Sequence, residues 1–217
     1  MSVLVPEARR WLDAPLPAGA RITVAGVAGG AGTTTVTGLL WWVLTTYASR
    51  AVGLLDHGGG ALHARLPTAA PARAPELELH DAGPVALPGA PALASVAPLV
   101  VVCAATGAGI DAATAAVRGL VPGPDDAARR CVVVPVATTG TGMPGADLRE
   151  RAHRSGLPTT AVVPLRRSRP LAAGGDIPAP GKSRAMTDAY RSAVAVAVEA
   201  MRCLTSGMGS SPHARER

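Results

Sequence analysis

A chain of 217 residues with 48% hydrophobic content is long enough for one ordinary domain with a sizeable core, which excludes a disordered protein. Its net charge of +6 rests on arginine, Lys182 being the only lysine, in a composition without Phe, Asn or Gln that matches a GC-rich bacterial genome. With aromatics at 2% there is little to interleave with the basic residues, so the charge is weak support for DNA as a partner.

In chain order, residues 1–20 read as an N-terminal extension with a short helix over 6–12 and a Pro-rich lead-in. Glu7, Arg9, Arg10 and Asp13 interrupt any signal-peptide core, so the cytoplasm is the expected compartment. An apolar run over 21–27 predicts the first strand. It meets AGGAGTTT, which opens a helix expected over 33–49. Strand, glycine loop and helix N-terminus in this order hold phosphate in α/β proteins. Gly29, Gly30 and Gly32 are expected to take positive φ, and Gly29 through Thr35 (with Ala31, Thr33 and Thr34) to line an anion cradle. The helix is apolar nearly all round, so it is either buried on several sides or offers a face to a partner. Adjacent Trp41 and Trp42 cannot share one face; one is expected in the core and the other partly at the surface.

A second strand is expected over 51–55, ending in Asp56 and HGGG, then a loop over 58–75 with a short helix near 61–66. Glu76 to His80 predicts a third strand whose Glu/Leu alternation is unusual for a sheet covered on both faces, and Asp81-Ala82-Gly83-Pro84 follows. Residues 99–103, 131–136 and 160–163 read as further strands. Helices are expected over 110–121, 146–154 and 183–204, the last with Met186, Tyr190, Val194, Val198 and Met201 on one stripe. Asp125 and Asp126 read as a helix cap, Lys182 as a surface residue, Arg166, Arg167 and Arg169 as a solvated loop rather than the alternative, a binding patch, and 206–217 as a disordered tail. Cys103, Cys131 and Cys203 read as buried thiols, and no His/Cys spacing suggests zinc. The longest apolar helix candidate is too short to cross a bilayer. Apolar runs alternating with helices at least four times predict an α/β fold, a mostly parallel sheet with helices on both faces, in a single domain over 21–205. Ligands of such sheets sit at the carboxyl ends of the strands, where Asp56, Asp81 and the glycine loop fall.

VAGVAGGAGTTTVTGLL resembles the deviant Walker A loop of the ParA/MinD-type P-loop ATPases, written KGGxGKTT. GLLDHGGG, HDAGP and VVPLRRSRPLAAGG are similar, in order, to the family's second-strand Asp, third-strand Asp-x-Gly switch and late base-lining loop. The resemblance implies a three-layer P-loop NTPase-like fold that binds ATP or ADP. It implies Mg²⁺ held near Thr34, Asp56 and Asp81, and the base near Pro164 and Leu165. It also implies a protein partner or homodimer, in partition, division-site placement or secretion. Both family lysines are missing: Ala28 and Thr33 stand at their positions. Loss of such electrostatic contacts costs on the order of a hundredfold or more in rate, so no catalytic residue is assigned and at most a weak ATPase is expected. Two other readings are open: a nucleotide-free scaffold offering its apolar first helix, and a Rossmann dinucleotide-binding domain with Asp56 on the ribose. Thr35, standing where the third Rossmann glycine belongs, argues against the latter.

Overall fold

The structure, a computed structural model, describes residues 4–66, 73–84, 98–120, 130–138, 140, 142–157, 161–181 and 183–206. Six strands form one all-parallel sheet: β1 (Arg21–Gly26), β2 (Val52–Asp56), β3 (Leu77–Gly83), β4 (Leu99–Ala104), β5 (Cys131–Val136) and β6 (Ala161–Val162). Their order is β2-β3-β1-β4-β5-β6. The chain steps from β1 outward to β2, returns to β3, then passes β1 to build the other half. The sheet therefore changes direction of growth at β1, which is where a parallel sheet opens a crevice at its carboxyl end.

Period-two alternation sorts the apolar residues into two cores. Ile22, Val24, Leu77, Leu79, Val100, Val102, Val132 and Val134 face one side with α1 (Pro6–Leu12), α2 (Thr33–Thr46) and α6 (Thr187–Ser206). Ala25, Leu99, Val101, Cys103, Cys131 and Val133 face the other, under α3 (Gly107–Leu120) and α4 (Gly145–Arg154). This is the expected three-layer arrangement. Of the predicted stripe, Tyr190, Val194, Val198 and Met201 are buried along α6, and Met186 is buried in the 3₁₀ turn, Arg184–Met186, that leads into it. A further short helix, α5 (Arg169–Ala172), follows β6.

The boundaries depart from the sequence reading for identifiable reasons. The N-terminal stretch packs onto the domain: Ala8, Leu12 and Ala20 are buried in the main core, and the Arg50 guanidinium donates to the Leu12 and Ala14 carbonyls. Helix α2 stops at Thr46 because Ser49 turns to φ 50°. Helix α3 starts three residues early: the Thr106 hydroxyl accepts from the Gly109 N–H, and any Cβ at Gly109 would strike the Ala104 carbonyl. Strand β3 runs on through Asp81 to Gly83. The expected helix near 61–66 is a 3₁₀ turn, His63–Arg65. Cys103 and Cys131 are buried as expected, but Cys203 is only half-buried. Asp125, Asp126, Thr160, Lys182 and the tail from 207 lie outside the described residues.

The ladder between β5 and β6 explains the shortness of β6. Val163 donates to the Val133 carbonyl, Leu165 to that of Pro135, and Ala137 to that of Leu165. The one rung missing from this series is the N–H that Pro135 lacks, so β6 ends at Val162 and a lone bridge, Val136–Leu165, resumes beyond it.

Helix α2 is apolar all round because it is wedged between the sheet and α6. Gly38 admits Ile177, whose side chain occupies the space a Cβ would need. Both tryptophans are half-buried against the core, edge to face at 4.8 Å, rather than one inside and one out. The Trp42 indole N–H donates to the Ile177 carbonyl at 2.9 Å, and the Tyr190 hydroxyl to that of Pro178. Among the described residues, the only exposed large hydrophobic side chains are Val5 and Leu55.

Candidate functional site

The glycine loop leaves the carboxyl end of β1, the central strand at which the sheet reverses. Gly30 (φ 73°) and Gly32 (φ 95°) adopt the left-handed conformation; Gly29 does not, against expectation. Gly32 is the N-cap of α2 and has no side chain to cap with, so the first turn of the helix keeps its N–H groups available. The N–H groups of Gly29, Gly30 and Gly32 make no hydrogen bond to another described residue. Thr33 turns inward: it is 5% exposed, and its Oγ1 is buried without a partner over Gly26, where a Cβ would collide with it. Ala28 and Gly29 are exposed and Ala31 is buried beneath the loop.

Beside the loop, Asp81 faces the N-terminal turn of α2 from β3. It is 1% exposed; Oδ1 accepts from the Gly83 N–H at 3.1 Å, whereas Oδ2 is buried without a hydrogen bond. Burial pushes its carboxyl above the ordinary Asp range; the nearby Thr34 hydroxyl and the Gly83 N–H pull the other way, while Asp56 adds repulsion. Asp56, its register partner on β2, is held differently. Its oxygens accept from the N–H groups of Gly58 (2.7 Å) and Leu62 (2.8 Å), and His63 Nδ1 lies 3.7 Å away. Burial alone would raise its pKa. The backbone N–H groups of Leu62, Gly58 and Gly60, with His63, outweigh that and hold it below the ordinary Asp range. Of the three expected metal-binding residues, Thr34 and Asp81 are together and hold an unused oxygen; Asp56 is close but already committed to its own loop.

A cleft of about 210 Å³ lies on the opposite side of the loop. Gly30, Gly32 and Thr35 form one wall, the last residue of β5, Val136, with Ala137 and Thr138 beyond it, the floor, and Leu165, Arg166, Arg167, Ser168, Leu171 and Ala172 the other wall. Of the two expected base-contacting residues, Leu165 lines this cleft. Pro164 does not: it packs against Gly145, and its carbonyl accepts from the Ser192 hydroxyl.

Two features escaped the sequence. Arg65, in the 3₁₀ turn, donates to the Thr35 hydroxyl at 2.8 Å, to the Gly175 carbonyl at 2.9 Å and to the Leu171 carbonyl at 3.4 Å. It straps the first turn of α2 to the far wall, and burial lowers its pKa against the counteracting Asp176. No spacing rule links positions 35, 65, 171 and 175. The second is a side-chain ladder on the other face of β3. Glu78 Oε2 lies 3.2 Å from His80 Nε2, and His80 Nδ1 lies 3.2 Å from His57 Nε2, with the two rings stacked. Glu78 and His80 stand on one face by alternation, and no residue of the α3/α4 core comes from β2, so the Glu/Leu pattern of β3 marks a polar half-face.

No group of three or more His, Cys, Asp or Glu among the described residues is arranged to hold a metal by itself, so a cation here would need oxygens from a ligand or water. No helix among the described residues is long and apolar enough to cross a membrane. The site and fold together define a parallel α/β protein with a glycine loop at the reversal of its sheet. Comparison of the chain with protein-family models and with curated proteins returns no match.

Proposed function

We propose that this chain is a ParA/MinD-like nucleotide-binding protein that holds ATP or ADP with Mg²⁺ at the glycine loop and hydrolyses it weakly or not at all. In this reading its nucleotide state regulates or positions a larger cytoplasmic assembly through a protein partner or a homodimer. The observation that carries it is the Asp81 carboxylate: a buried oxygen without a partner, beside Thr34, at the open N-terminus of the helix behind two left-handed glycines. A buried polar atom left unsatisfied costs about 1–3 kcal/mol, and a hydrated cation is the chemistry that would offset it. Backbone N–H groups and Thr34 would hold the phosphates, and Mg²⁺ would supply the positive charge that Ala28 and Thr33 lack. Thr33 directs its hydroxyl beneath the loop, in keeping with poor hydrolysis.

The scaffold reading draws on a free apolar α2, but that surface is covered by α6 and Ile177. The dinucleotide reading draws on Asp56 as a ribose acceptor, but its oxygens already serve Gly58 and Leu62. The test is isothermal titration of ATP and ADP, with and without Mg²⁺, into the wild type and a Thr34→Ala variant. Micromolar, Mg²⁺-dependent binding that the variant loses is the expected result. Absence of binding at protein concentrations well above that range overturns the proposal in favour of a scaffold.

A further inference from the structure

The cleft beside the glycine loop has an unusual charge distribution. Arg166 and Arg167 line it across from Gly30, Gly32 and Thr35, and none of its described lining residues is acidic. Both arginines are exposed, and neither forms an ion pair or hydrogen bond with a described residue. Arg10, Arg21, Arg169 and Arg184 likewise reach no described partner, but none of them lines the cleft; what marks Arg166 and Arg167 is the two properties together. Arg9, Arg50, Arg73, Arg151, Arg154, Arg191 and Arg202 all reach a carboxylate, and Arg65 is bound to carbonyls and a hydroxyl. Two adjacent guanidinium groups left unneutralised across from unpaired backbone N–H groups form an arrangement suited to a polyanion, and the planar fork of arginine matches phosphate oxygens.

We infer that Arg166 and Arg167 bind the phosphate groups of the ligand from the wall opposite the glycine loop, supplying from the β6–α5 loop the charge that the glycine loop has lost. The inference rests on the nucleotide reading above and changes it in one respect: the late loop meets phosphate, while apolar Leu165 keeps contact with the organic part. At about 210 Å³ the cleft is smaller than the roughly 300–1,000 Å³ typical of a site enclosing a whole small molecule, as suits a site that grips a phosphate chain and leaves the remainder partly outside. Arg65 acts as a positioning residue, tying Thr35 to Leu171 so that the two walls keep their separation.

The test titrates inorganic pyrophosphate, ADP and adenosine into the full-length wild type, an Arg166→Ala/Arg167→Ala double variant and the corresponding double lysine variant. Both positions are exposed, so the fold is expected to survive, and circular dichroism checks it. Loss of charge-assisted hydrogen bonds to phosphate predicts about ten- to hundredfold weaker binding of pyrophosphate and ADP by the alanine variant. Adenosine binding should not change, and lysine should restore part of the loss. Undiminished ADP and pyrophosphate affinity in the alanine variant overturns the inference while leaving the nucleotide reading intact. A loss that is equal for adenosine and ADP also overturns it, because the arginines would then act on the nucleoside. A wild type that binds pyrophosphate through these arginines but no nucleotide refutes the nucleotide reading alone, and one that binds neither refutes both.

Discussion

Alanine substitutions along the glycine loop should separate three glycines that look equivalent in sequence. Gly29 has an ordinary φ and no atom within 4 Å of where a Cβ would sit. Gly29→Ala should therefore be neutral or stabilising by about 0.4–1 kcal/mol, through the lower entropy of the unfolded chain. Gly30 has the same open surroundings but φ 73°, so an L-residue there costs roughly 1–2 kcal/mol, partly offset by that entropy gain. Gly32 combines two costs. Its φ of 95° lies beyond the left-handed well, worth about 2–3 kcal/mol, and its Cβ would come within 3.2 Å of Val136 Cγ1. Val136 is anchored in β5, so the overpacking adds about 1 kcal/mol. The net loss for Gly32→Ala is then about 3 kcal/mol. Urea unfolding at about 2 kcal/mol/M would register it as a midpoint lowered by about 1.5 M. The order of stability should be Gly29→Ala, then Gly30→Ala, then Gly32→Ala. A loss above about 1 kcal/mol at Gly29, or one at Gly30 as large as at Gly32, would refute the reasoning.

The two aspartates at the strand ends should respond to pH in opposite directions. Asp81 titrates above its unfolded value, so its folded state binds the extra proton and stability falls as pH rises from about 3.8 through the folded pKa; Asp81→Asn should remove that slope and stabilise the ligand-free protein at neutral pH by about 1 kcal/mol, read by urea unfolding between pH 3 and 7. Asp56 titrates below its unfolded value, so its contribution is present above pH 3.8 and lost as pH falls through the folded pKa. Asp56→Ala should cost about 1–2 kcal/mol at neutral pH and progressively less in acid. Arg65→Met, which releases three hydrogen bonds while keeping most of the aliphatic stem, should lower stability by about 1–2 kcal/mol in thermal unfolding; unchanged stability would show that the strap carries no tension between the walls.

Much of this fold was legible because β1, β4 and β5 are buried on both faces. Continuous valine runs in β4 and β5 and the apolar α2 admit few other placements. The position of the glycine loop at the end of β1 was readable for the same reason. What the sequence hid are features made by contacts distant in the chain. Gly29 and Gly32 carry the same letter, and only the path from β1 into α2 decides which of them must turn left-handed. Asp56 and Asp81 both stand at the ends of predicted strands; the turn after β2 folds its N–H groups onto the first, while an oxygen of the second is left unused. Arg65 is one arginine among many until 110 residues of chain return Gly175 to its side. Pro164, next to Leu165, is turned to the helix side by the same alternation that puts its neighbour in the cleft.

The proline within β5 has a mechanical consequence for the cleft. Beyond the rung that Pro135 omits, the arginine-bearing wall hangs from the sheet by the two backbone bonds of Leu165, one given to Pro135 and one taken from Ala137. The amides of Leu165 and Ala137 thus act as the suspension points of that wall, and their hydrogen-exchange rates should rise and fall together, apart from those of β4 and the body of β5. A ligand gripped by both walls would slow those two amides first, giving a reporter of occupancy that is built into the backbone and needs no label.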